Sequence, residues 1–229
     1  MEGRTASCES PAGALRAVVH AAALQHRRQH VRPYPLMRAL SYQVFIEIFS
    51  GCGRLAKAVS CYHGPVLLWD ISMGAQYDLT RQNNQSLLRG WIAGKKVWGY
   101  HVAVPCSPLP DALDLAPAVQ AVQVQERNLL TRFSFGLLRL GRRHGCPCSL
   151  ENPLTGTLFK TSGFDELSKL AGFSWAIVKR TRFVGFNLVL RALSPDLCRA
   201  EVVARLAKAF YNSVSARVAR SVQLSFRAG

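Results

Sequence analysis

Apolar and polar positions divide residues 43–222 into alternating short strands and helices. QVFIEIF, at 43–49, is a nearly continuous apolar run that stops at Ser50 and Gly51, the pattern of a buried strand. GRLAKAVSCY follows with Leu55, Ala58, Val59 and Tyr62 at helical spacing. GPVLLWDI is a second strand, entered through Gly64 and Pro65. NNQSLLRGWIAGKK predicts a helix capped near Asn84 or Ser86, and VWGYHVAVPC a third strand ending at Pro105 and Cys106.

The second half continues the alternation. SPLPDALDLAP is proline-rich and predicts a loop. A long helical segment starts after it, with Val122, Leu129, Phe133, Leu137 and Leu140 on its apolar face. Arg142 and Arg143 sit in its last turn and Gly145 just beyond, which suits the helix dipole and a glycine stop. CSLENP predicts a short strand ending at Glu151-Asn152-Pro153, and FSWAIVKR and TRFVGFNLVLRAL predict two more. Residues 199–222 predict a basic amphipathic helix, with Val203, Leu206, Phe210 and Val214 against Arg205, Lys208 and Arg220. Strand–helix alternation of this kind predicts an α/β fold: a Rossmann-like, mostly parallel sheet with helices on both faces. The expected organisation is a basic, weakly packed extension over 1–40, a Rossmann-like domain over 41–195, and the basic helix and tail over 196–229.

Charge sharpens this picture. Lys and Arg number 29 against 13 Asp and Glu, a net charge of +16, which favours polyanions and above all nucleic acid. No apolar run is long enough to span a membrane. The 7 cysteines are an odd number in a chain without a secretory signal, so reduced thiols in an intracellular protein are expected. Cys146 and Cys148 after His144 invite a zinc reading, but no second pair stands at finger-like spacing, and no metal is expected. The Arg-rich start leaves organelle targeting open beside the nucleus.

Candidate chemistry gathers at the strand ends. Ligands of parallel α/β sheets sit outside the carboxyl ends of the strands, and glycine in the first strand-to-helix turn lets backbone amides approach them. Gly51-Cys52-Gly53 occupies that turn, without the third glycine of a dinucleotide fingerprint or the Gly-Lys-Ser/Thr of a phosphate loop. Asp70 ends the second strand nineteen residues beyond Gly51, where an acid can bond ribose hydroxyls. Trp69 beside it offers a flat face for a purine. Taken singly, Asp70 is equally a turn cap and Cys106 a buried small hydrophobe.

The order EIFSGCG, LLWDI, VAVPCS, SLENP resembles the cytosine-5 DNA methyltransferases. Their hallmark strings are Asp-Leu-Phe-x-Gly-x-Gly, Pro-Cys and Glu-Asn-Val. The match is closest to a divergent branch found in retroelement-type contexts, with strings such as EIFSGSG, WDI, GTPCSSFS and LENP, and it covers about residues 43–190. The resemblance implies a class I methyltransferase-like fold and S-adenosyl-L-methionine as cofactor. It implies that the Cys106 thiolate attacks carbon 6 of a cytosine taken out of the helix, with Glu151 and Asn152 holding the base. It implies cofactor contacts from Phe49, Ser50, Gly51, Gly53, Asp70, Ile71 and Pro105, and nucleic-acid contacts from Lys179, Arg180 and Arg182, with DNA preferred over RNA. Some residues depart from the family. Ser107 replaces the usual Gln, and the loop after it carries Asp111 and Asp114, unfavourable beside phosphate. No segment remains for a target-recognition domain, so a partner or fused segment would read the sequence. The alternative is a catalytically degenerate module that binds nucleic acid or cofactor without turnover.

Overall fold

The computed structural model describes residues 43–62, 64–105, 117–154, 156–178, 181–188, 190, 193 and 196–227; at 117–120, 199 and 217–227 it describes the backbone alone. The expected extension over 1–40 lies outside the described residues, as does the loop over 106–116.

The fold is α/β, built on a six-stranded, mostly parallel mixed sheet. Its strands are β1 (Val44–Ile48), β2 (Val66–Trp69), β3 (Val97–Ala103), β4 (Cys148–Pro153), β5 (Phe173–Val178) and β6 (Thr181–Phe186). The helices are α1 (Arg54–Ser60), α2 (Gln82–Ala93), α3 (Pro117–His144), α4 (Ser162–Ser168) and α5 (Arg199–Arg227). The strand order is β2-β1-β3-β4-β6-β5. β1 pairs in parallel with β2 and with β3, and β3 in parallel with β4. β6 runs antiparallel to both β4 and β5. From β1 the chain steps outward to β2, then crosses to β3 on the other side of β1. The switch point therefore lies between the carboxyl ends of β1 and β3, where open α/β sheets take their ligands.

Both faces of the sheet are covered. On one, α5 packs against α1, and Phe210 stacks edge-on to Phe45 at 4.9 Å and lies near Trp98. Phe210 is fully buried, and burial of such a side chain is worth about 1.5–3 kcal/mol. Leu206 and Val214 join it in the core, and Arg205 and Lys208 are exposed, as the amphipathic pattern predicts. Gly99 faces Phe210: a Cβ there would stand 3.3 Å from its ring. On the other face α3 packs beside α2 and α4, and the Tyr100 hydroxyl donates to the Leu137 carbonyl. No helix among the described residues is long and apolar enough to cross a membrane.

Four expectations change. Val122 and Leu129, placed on the apolar face of α3, are 55% and 39% exposed, whereas Phe133 and Leu137 are buried. α3 has 28 residues, about 42 Å of helix, while β3 has seven, about 23 Å of strand, so the start of α3 overhangs the sheet. The N-cap of α2 is Arg81, in extended conformation, not Asn84 or Ser86; Asn84 instead donates its amide to the Asp78 carbonyl. The last strand stops at Phe186 because Asn187 turns the chain with a left-handed φ of 53°. Trp69 is wholly buried, its indole N–H donating to the Tyr77 carbonyl at 2.9 Å, so it presents no face to a ligand. Adjacent strand residues point to opposite faces of a sheet, and Trp69 therefore turns away when Asp70 turns outward.

Candidate functional site

The turn between β1 and α1 takes an uncommon path. Phe49, Gly51 and Gly53 have φ of 58°, 50° and 65°. For Phe49 this is a costly conformation that the surrounding structure must hold, and its amide is fixed to the Trp69 carbonyl at 2.7 Å. Ser50 is buried, and its hydroxyl has no hydrogen-bond partner among the described residues. Gly51 is exposed, with open space where a Cβ would stand. Gly53 differs: a Cβ would come to 3.0 Å from both methyls of Leu68. Glycine is needed at 51 for the turn and its clear approach, and at 53 for packing against β2 as well.

Asp70 closes this turn onto β2. One carboxylate oxygen accepts the Gly51 amide at 2.9 Å, and the other accepts the Ser72 amide at 2.9 Å and the Ser72 hydroxyl at 2.6 Å. Burial alone would raise the carboxyl pKa. The bonds from the Ser72 hydroxyl and the Gly51 and Ser72 amides outweigh it and hold the group below the ordinary aspartate range. Ile71, the next residue, is 62% exposed.

Glu47 anchors the other side of the turn. Its buried carboxylate accepts the Ala56 amide at 2.7 Å, at the start of α1. Burial raises its pKa. His101 and the Ala56 amide pull it back, Glu151 pushes it up further, and the net displacement is upward.

Glu47 also begins a row that a reading of single strands misses. Glu47 is the register partner of His101, and His101 of Ser149. Three polar side chains thus lie side by side across β1, β3 and β4 in an otherwise apolar layer. His101 is buried, with Nδ1 2.7 Å from the Ser149 hydroxyl and Nε2 3.7 Å from Glu151 Oε2. A proton on Nε2 faces the carboxylate and lets Nδ1 accept from Ser149; the other tautomer reverses that bond. The available signal was a single polar residue inside each of three apolar strands.

At the far end of the row, Glu151 is half-buried and lies beside Ala103 in the pairing of β3 with β4. Asn152 is buried and donates Nδ2 to the Val104 carbonyl at 3.0 Å. The tips of β3 and β4 are thereby tied together one residue before the exposed Pro105. Cys106, Lys179 and Arg180 lie outside the described residues. Arg182 pairs with Asn152 across β4 and β6, and its guanidinium stands 5.0 to 5.8 Å from the ring centres of Phe159, Trp175 and Phe164. Its Nε is buried without a hydrogen-bond partner among the described residues.

The carboxyl edge of the sheet thus brings together the glycine turn, Asp70, Ile71, Pro105, Glu151 and Asn152. Cys148 is elsewhere, fully buried under α3, its thiol pushed up to about 12 by desolvation and therefore held protonated as a packing group. Among the described residues no group of three His, Cys, Asp or Glu side chains is disposed to hold a metal ion. No protein-family model, no curated protein and no solved structure matches the chain.

Proposed function

We propose that the chain is an S-adenosylmethionine-dependent methyltransferase of the cytosine-5 type, with a class I methyltransferase-like fold and a nucleic-acid base, in DNA before RNA, as acceptor. One observation carries the reading. The Gly51 amide donates to the Asp70 carboxylate, joining the glycine turn of β1 to the tip of β2 beside the switch point of the sheet.

The residues present fit the cofactor. Gly51 has clear space above it, and the buried Ser50 hydroxyl in the same turn is without a partner among the described residues. Asp70 accepts three hydrogen bonds where a carboxylate offers about four lone-pair positions, so capacity remains for a ribose hydroxyl. Ile71 supplies apolar surface next to it for a purine, with Phe49 and Pro105 as the other apolar walls. When bound, the cofactor supplies an electrophilic methyl group. The chain's own residues do the rest. In this reading the Cys106 thiolate adds to carbon 6 of an extruded cytosine, and Glu151 holds the ring at nitrogen 3 and the exocyclic amine. Asn152 positions the strand end that leads to Cys106 through its bond to Val104. His101 lies behind Glu151 and steadies its carboxylate.

A second reading is a module that binds cofactor or nucleic acid without turnover. Arg182 favours it, because a guanidinium packed against three rings is held by the fold and not offered to phosphate. The two readings separate by trapping with an oligonucleotide containing 5-fluorocytosine in the presence of the cofactor. A covalent adduct that survives denaturing electrophoresis in the natural protein and disappears in Cys106→Ala is expected. An adduct that persists in Cys106→Ala refutes the nucleophile, and its absence from the natural protein supports the module.

A further inference from the structure

A slot runs between α2 and α3, with a cavity of about 350 Å³, at the small end of the range for ligand sites. Arg89 on α2 and Arg132 on α3 both line it. Arg89 is placed with care. Its guanidinium lies 5.0 Å from the ring centre of the buried Phe133, and its Nη2 donates to Gln85 Oε1 at 3.3 Å. Gln85 is itself buried, and its amide nitrogen donates to the Leu79 carbonyl at 2.8 Å. An arginine stacked on a ring and braced by a fixed carboxamide is pre-organised to bind in one orientation.

The brace is neutral. Had residue 85 been Glu, the charge of Arg89 would be met within the fold. With Gln it is left to whatever enters the slot. Among the described residues neither Arg89 nor Arg132 forms an ion pair, and no carboxylate lines the cavity. The remaining polar lining consists of carboxamides from Gln82, Gln125 and Asn128. Two guanidiniums select a phosphate, and carboxamides hydrogen-bond the edges of bases. Packed helix axes stand about 8–10 Å apart, so a groove between two of them admits one strand and excludes a duplex. Gln82 and Gln85 are in the first turn of α2, and α2 starts from the carboxyl edge of the sheet, the edge that carries Asp70 and Asn152.

We propose that this slot binds a single strand of nucleic acid, with a phosphate between Arg89 and Arg132 and a base edge against the carboxamides. The slot stands on its own chemistry, not on methyl transfer. A protein that binds the cofactor but handles single strands no differently after mutation of the slot keeps the function proposed above and loses this site.

The test is fluorescence anisotropy of the full chain with a labelled 12-nucleotide single strand over a salt series. Arg89→Gln with Arg132→Gln is expected to weaken binding about tenfold and to flatten the slope of log affinity against log salt by about 1.4, since each phosphate contact on a single strand contributes about 0.7. Lys95→Gln with Lys96→Gln, at the opposite edge of the sheet, removes the same charge and is expected to change both quantities far less. Equal losses in the two double variants mean a diffuse basic field and overturn the site. If the double arginine variant does not fold, Arg132→Gln alone, at an exposed position, is expected to give about half the change in slope, and no change overturns the site. A mononucleotide 5′-phosphate that binds as tightly as the 12-mer would make the slot a nucleotide site and overturn the strand proposal; much weaker competition supports it.

Discussion

Asn152 on β4 donates its side-chain amide to the Val104 carbonyl at the end of β3, a bond of 3.0 Å between the two strand tips that flank the candidate nucleophile. Both partners are buried. Removing the donor leaves the carbonyl unsatisfied, at a cost of about 1–3 kcal/mol. Asn152→Ala is therefore expected to lower the melting temperature by several degrees, measured by calorimetry at neutral pH. An unchanged melting temperature would show that water replaces the bond without penalty and that Asn152 does not fix the tip of β3.

The two glycines of the β1–α1 turn are expected to differ. Both have left-handed φ, which costs a residue with a Cβ about 1–2 kcal/mol. At 51 that is the whole cost, because the added methyl meets open space. At 53 the methyl also forces Leu68 to move. Urea unfolding should show Gly53→Ala more destabilised than Gly51→Ala. The opposite order would contradict the packing described for β2.

Glu47 makes stability depend on pH in a definite direction. Its folded pKa is raised, so the folded protein holds this proton more tightly than the unfolded chain. The contribution is fully present below the unfolded glutamate pKa of about 4.3 and is lost as pH rises through the folded value. Glu47→Gln cannot titrate. The difference in melting temperature, variant minus natural protein, is expected to rise as pH increases from about 4.5 to neutral. A difference that is flat or falls over that range would mean that Glu47 ionises freely at its site.

Much of the fold is legible along the chain, for identifiable reasons. β1, β3 and β4 are covered on both faces, so they appear as nearly unbroken apolar runs, and glycine or proline marks their ends. The strand ends therefore indicated the carboxyl edge and the candidate residues on it. The direction of β6 was harder to see. Only residues 179 and 180 separate β5 from β6, and a link that short joins antiparallel strands, which a reading by composition overlooks. Trp69 was misplaced by attention to proximity in sequence, since period-two geometry sends it to the opposite face from Asp70. The overhang of α3 was hidden because an apolar stripe does not reveal where the sheet beneath it stops. The row Glu47–His101–Ser149 was hidden for a related reason: each residue is unremarkable in its own strand, and only the register brings the three together.

The central claim is that Gly51 and Asp70 bound a pocket for a methyl-donor nucleoside, and titration calorimetry with S-adenosylmethionine tests it most directly. The account predicts one site per chain in the natural protein. Binding should be at least tenfold weaker in Asp70→Ala, with far-ultraviolet circular dichroism confirming that the variant is folded. No binding by the natural protein, or the same affinity in the folded variant, would contradict it.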